Sequence, residues 1–139
     1  ISPERHTSRR LAPAELKAWL DAGRRVILLD TRNDFESDHG TFVGAARAGL
    51  GDFRQFTSRA AEFPEDWKSQ PVVTFCTGGI RCEKAAPYLE SLGYREVYQL
   101  DGGILNYFET CGGAYYRGNC FVFDERVALT PELKPVRDI

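Results

Sequence analysis

The stretch Cys76-Thr77-Gly78-Gly79-Ile80-Arg81 has the residue types and spacing to do chemistry. A cysteine acts as a nucleophile through its thiolate, and its reactivity depends on what holds the negative charge. Successive backbone N–H groups curled around the sulfur can hold it, and a helix starting after the loop adds the positive end of its dipole. Glycines permit the positive-φ backbone that such a curl needs. Cys76 is therefore the candidate nucleophile, as a thiolate or a persulfide. Thr77, Gly78, Gly79, Ile80 and Arg81 form the candidate anion cradle, largely through their main chain. Arg81 can contact an anionic substrate or pin the loop through an ion pair. A free thiol titrates near ~8.5, and loops of this kind bring it to ~3.5–7.5. The gap from Cys76 to Arg81 is C-x4-R, shorter than the C-x5-R cradle that the larger phosphoryl group requires. That argues against phosphatase chemistry.

Such a loop must be positioned by its neighbours. The apolar run Val72-Val73-Thr74-Phe75 leads into it, and a segment with Cys82, Ala85, Leu89 and Leu92 on one helical face leads out. Pro87 inside that segment predicts a bend. Upstream, residues 1–10 read as a polar lead-in and 11–23 as a helix with Leu16, Trp19 and Leu20 on one face. The run Val26-Ile27-Leu28-Leu29 reads as a strand buried on both sides. Residues 33–51 are rich in glycine and read as loop. Phe53, Phe56, Ala60 and Phe63 step like one face of a helix that Pro64 ends. Val97-Tyr98-Gln99-Leu100 reads as a third strand, 104–110 as a short helix and 121–123 as one more strand, with an unpacked tail from 130. Alternating strands and helices predict an α/β fold with a mostly parallel central sheet flanked by helices. Ligand sites in such sheets lie at the carboxyl ends of strands, where both Cys76 and Asp30 fall. Asp30, Arg32 and Glu36 are candidates for acid–base work, but they read more simply as an ion-pair network near the site that ties the strand end to the next loop.

At 139 residues the chain is one domain. Its 18 basic and 20 acidic residues give a net charge of −2, which neither favours nor excludes a nucleic-acid partner. No apolar run approaches the ~20 residues of a membrane span. The chain opens with Ile-Ser-Pro and contains no Met, which predicts a piece of a longer protein. Cys76, Cys82, Cys111 and Cys120 show no paired zinc spacing, so no metal site is expected. The glycine-rich cysteine loop fits a reducing cytoplasm better than a disulfide scaffold. Cys82 reads as a packing residue, with resolution of an oxidised Cys76 as the alternative. Cys111 and Cys120 read as packing or free thiols, and His6 and His39 as surface or loop residues.

The cysteine loop resembles the active loop of rhodanese domains. Leu29-Asp30-Thr31-Arg32 with Glu36, Gly40-Thr41-Phe42-Val43-Gly44-Ala45, and Leu100-Asp101-Gly102-Gly103 resemble further motifs of that family. The resemblance implies a rhodanese-like domain at 11–110 and an extension at 111–139 that begins a truncated region. Within the family, residues 76–85, 97–105 and 120–127 resemble the bacterial rhodanese-containing tRNA uridine hydroxylases, which oxidise the wobble uridine to 5-hydroxyuridine with molecular oxygen.

These resemblances imply an enzyme, and first a sulfurtransferase. Cys76 would take a sulfane sulfur from a small donor as a persulfide and pass it to an acceptor, with no other cofactor. The alternative is the catalytic module of a tRNA uridine 5-hydroxylase, with tRNA as partner through the full-length protein. A non-catalytic binding module is the third reading, opposed by the intact cysteine and arginine.

Overall fold

The three long apolar runs become the middle of one sheet. The computed structural model describes residues 9–51, 53–79, 81–118, 120–122, 127–129 and 135–136. Strands β1 (Arg9–Leu11), β2 (Ile27–Asp30), β4 (Ala46–Arg47), β5 (Val72–Phe75) and β6 (Val97–Leu100) form a sheet in the order β1-β6-β5-β2-β4, with every pairing parallel. Leu28 pairs with Val73, and Val73 with Tyr98. All four residues of β5 are buried, as are all four of β6, because helices cover both faces.

Successive strand residues point to opposite faces, and two clusters result. Leu28, Val73, Phe75, Tyr98 and Leu100 face helices α1 (Pro13–Asp21) and α5 (Gly103–Cys111), packing on Leu16, Ile104, Tyr107 and Phe108. Leu29, Val72 and Val97 face α3 (Phe56–Ala60) and α4 (Cys82–Ser91), packing on Phe56, Ala60, Ala85, Ala86 and Leu89. The face Cys82, Ala85, Leu89 expected from the sequence is buried. Helix α4 runs past Pro87. The donor that proline lacks would have reached the carbonyl of Glu83, in the first turn.

The structure departs from the sequence reading in the short elements. Arg9 and Arg10 belong to edge strand β1 rather than to a lead-in, and the first helix starts at Pro13, where its missing N–H costs nothing. Residues 1–8 of the expected lead-in, His6 among them, lie outside the described residues. The stretch read as loop contains α2 (Asp34–His39), β3 (Gly40–Phe42) and β4. The aromatic face from Phe53 to Phe63 splits into a 3₁₀ turn, Phe53–Gln55, and the short α3. β3 pairs antiparallel with β7 (Tyr116–Gly118). β8 (Cys120–Val122), β9 (Val127–Leu129) and β10 (Pro135–Val136) form a small antiparallel sheet, so part of the expected unpacked tail is paired. Phe123 of the expected last strand and residues 130–134 and 137–139 of the tail lie outside the described residues. Among the described residues no helix is long and apolar enough to cross a membrane.

Candidate active site

Cys76 follows the last residue of β5 and is buried. The chain then curls back, so that the Gly79 N–H donates to the Cys76 sulfur at 3.1 Å. Gly79 takes φ +93° to do so, a conformation costing an L-residue roughly 1–2 kcal/mol. Gly78 does not share it: its φ is not positive, and an added Cβ there would meet nothing within 4 Å. One glycine of the pair, not both, makes the curl. Ile80 of the expected cradle lies outside the described residues.

The loop is turned inward from behind by α5. The N–H groups of Ile104 and Leu105 donate to the carbonyls of Cys76 and Thr77 at 2.9 and 3.1 Å. With those carbonyls held outward, the chain turns the Gly79 N–H toward the sulfur. Close approach requires Gly103, where an added Cβ would sit 2.6 Å from both carbonyl oxygens and 2.7 Å from the Gly79 nitrogen.

Cys76 titrates far below an ordinary thiol, at about 6. The Cys82 thiol, hydrogen-bonded to its sulfur, is the largest cause. The backbone N–H groups of Cys82 and Arg81 and the Arg81 guanidinium add to it and outweigh burial. Cys82 itself is pushed well above the ordinary thiol range by burial and by the negative sulfur beside it. The pair thus divides into a thiolate and a thiol at neutral pH, with the charge on Cys76.

Arg81 is pinned. Its guanidinium makes a two-pronged ion pair with Glu36, at 2.5 and 2.8 Å. Glu36 is fully buried, closes a capping box with Asn33 at the start of α2, and accepts from the Thr77 hydroxyl at 3.3 Å. The three charges near the site therefore form not one network but parts of two pairs. Arg32 donates from Nε and Nη2 to Asp30 at 2.9 and 2.7 Å, and Nη2 also reaches the Gly40 carbonyl. Ser37 and Thr41 complete the Asp30 carboxylate. That pair ties β2 to α2 and β3, whereas Glu36 belongs to the cysteine loop.

Sequence reasoning missed three contributors. Gly103 was legible only as part of a glycine pair after β6. Cys120 brings its sulfur to 3.9 Å from the Thr77 hydroxyl, and burial raises its pKa to about 11. Thr31 contacts the Cys82 sulfur at 3.7 Å. Cys111 lies at the end of α5, half-buried. Of the two histidines, His39 ends α2 and lines a groove of about 370 Å³ with Thr41, Arg47 and Arg117. The described residues of the cysteine loop do not line that groove. Among the described residues no group of three or more His, Cys, Asp or Glu could hold a metal ion.

The family model for the rhodanese-like domain matches residues 12–110. The chain belongs to the rhodanese-like domain family. The fold of this rhodanese domain is also that of a solved rhodanese-like domain from Anabaena sp., with a TM-score of 0.66 at 22% identity over 86% of this chain and 83% of that one. Among curated proteins it is 51% identical, over 97% of its length, to one from Cupriavidus necator named tRNA uridine(34) hydroxylase, of which it covers 50%. It is 48% identical, over 98% of its length, to a protein of the same name from Thiobacillus denitrificans, of which it covers 57%. The rhodanese domain and its extension span about half the length of these relatives.

Proposed function

We propose that this chain is the thiolate-bearing module of an oxygen-dependent tRNA uridine 5-hydroxylase. The observation that carries the reading is the near-50% identity, along the whole chain, to proteins named tRNA uridine(34) hydroxylase. It favours hydroxylation over sulfur transfer, the first reading from the sequence, since the cysteine loop alone serves both equally well.

The site supplies what uracil chemistry needs. Uracil C5 becomes nucleophilic when a thiolate adds to C6, because the ring then carries an enolate at C5. Cys76 is the candidate for that covalent step, and its depressed pKa keeps it charged at neutral pH. With molecular oxygen as the source, one oxygen atom ends on C5. The other leaves as water, with two electrons and two protons from a reductant. Loss of the C5 proton and expulsion of Cys76 restore the ring. The substrate is tRNA, bound with the help of the rest of the full-length protein, and the place of action is the cytoplasm, where tRNA is decoded.

A second reading, sulfurtransferase, draws on one geometric fact. The Gly79 N–H donor and the Arg81 cation beside the sulfur suit a persulfide as well as a thiolate. Two measurements separate the readings. Deleting the parent gene, with any parallel pathway also disabled, is expected to abolish 5-hydroxyuridine in tRNA, and unchanged 5-hydroxyuridine would rule out the hydroxylase. Thiosulfate:cyanide sulfurtransferase activity that vanishes in Cys76→Ala, together with loss of sulfur-modified nucleosides in the deletion strain, would establish sulfur transfer instead.

A further inference from the structure

Cys82 is a buried nucleophile at the site that the proposed reaction leaves unused. Its position is specific. Thr31 donates through both its N–H and its hydroxyl to the carbonyl of Phe75, at 3.1 and 3.0 Å, and its hydroxyl oxygen lies 3.7 Å from the Cys82 sulfur. Phe75 is the residue before Cys76, so Thr31 ties the Cys82 sulfur to the peptide that carries the nucleophile. From the other side, the Cys82 thiol and backbone N–H both reach the Cys76 sulfur. The Thr74 and Thr31 hydroxyls favour a Cys82 thiolate, but burial and the negative Cys76 sulfur outweigh them. Cys82 stays a protonated partner in contact with a charged one. The sulfur of Cys120, by contrast, faces the Thr77 hydroxyl.

We infer that Cys76 and Cys82 form a redox couple, in which Cys82 is the resolving thiol that completes a two-electron reduction of a peroxide bond at this site. The Cys76 thiolate attacks one oxygen of the peroxide. The O–O bond breaks, its electron pair leaves with the other oxygen, and Cys76 becomes a sulfenic acid. The Cys82 thiol then attacks that sulfur, gives its proton to the departing hydroxyl, and water leaves as the Cys76–Cys82 disulfide forms. The two thiols together yield two electrons and two protons, and an external dithiol restores them by exchange. In the hydroxylation proposed above, Cys76 is expelled from C6 before it attacks the C5 hydroperoxide, and these are then the electrons that molecular oxygen requires. That role in turnover rests on the function proposed above, whereas the couple itself does not.

The test uses the intact chain and hydrogen peroxide, with no tRNA. One equivalent is expected to lower the intact mass by two hydrogens. The peptides on either side of the tryptic cut between Arg81 and Cys82 are expected to stay joined until a reductant is added. In Cys82→Ser the linkage is lost, and a sulfenic acid accumulates on Cys76 that dimedone traps. Cys120→Ser keeps the linkage. A Cys76–Cys120 link, or a dimedone-trapped Cys76 persisting in the unsubstituted protein, would overturn the inference. The measurement on the unsubstituted protein needs no variant, so a Cys82 variant that fails to fold does not protect the idea. If the couple forms while the parent protein makes no 5-hydroxyuridine, the hydroxylase reading fails and the couple stands. If 5-hydroxyuridine is made and no couple forms, the reverse holds.

Discussion

Arg81 and Glu36, 45 positions apart in sequence, meet in a two-pronged ion pair with Glu36 completely buried. The pair joins the end of the cysteine loop to the start of α2, and it sets Arg81 as a fixed cation beside Cys76. Removing one partner of a buried pair costs ~3–5 kcal/mol, and the partial exposure of Arg81 favours the lower end. Glu36→Gln is expected to destabilise the domain by about 3 kcal/mol in urea unfolding. A loss below about 1 kcal/mol, the scale of a surface pair, would show that the pair does not anchor the loop.

The glycines of the site are not equivalent. Gly103→Ala forces a methyl group against two backbone carbonyls, where neither side can yield. The α5 contact behind the loop should open, with a loss of roughly 1–3 kcal/mol and a Cys76 pKa moved toward the ordinary thiol value. Gly78→Ala meets open space and should stay within about 0.5 kcal/mol of the unsubstituted protein. Equal effects of the two substitutions on the urea midpoint would contradict the backing role of α5.

Thiolate ultraviolet absorbance against pH tests the charge on Cys76 without requiring a reagent to reach it. A depressed pKa means that the thiolate persists at neutral pH and is lost as pH falls through about 6. In Cys82→Ala the chief hydrogen-bond donor to the sulfur is gone, and the midpoint should rise. A midpoint near the free-thiol value of about 8.5 in the unsubstituted domain would remove the cradle argument.

Asp30 and Arg32 provide a control. Their pair is fully buried but joins β2 to α2 and β3 rather than to the cysteine. Arg32→Leu should cost ~3–5 kcal/mol in urea unfolding while leaving the Cys76 titration at about 6. A shifted titration in a folded Arg32→Leu protein would tie this pair to the site after all.

The strands from Ile27, Val72 and Val97 were legible in the sequence because a parallel strand buried on both faces must be apolar throughout. β1 was hidden because Arg9 and Arg10 sit at a sheet edge with their side chains exposed, so no hydrophobic pattern marks it. The curl at Gly79 could be anticipated from its type, yet nothing local distinguished it from Gly78. Which acid would meet Arg81 was illegible, since Asp30 and Glu36 lie close in sequence and the choice is made by the packing of α2 against the loop. The approach of Cys120 to Thr77 depends on the return of the chain through β7, and no spacing rule encodes it. Cys82 was read as a packing residue from its helical face. It does pack, and the start of α4 also brings its thiol to the sulfur of Cys76.

The most direct test of the central claim is made in cells lacking the parent gene and any parallel pathway, by complementing them with the parent protein carrying Cys76→Ser and quantifying 5-hydroxyuridine in their tRNA. The unsubstituted protein is expected to restore the nucleoside and Cys76→Ser, expressed at the same level, to restore none. Full restoration by Cys76→Ser would contradict a hydroxylation that runs through Cys76.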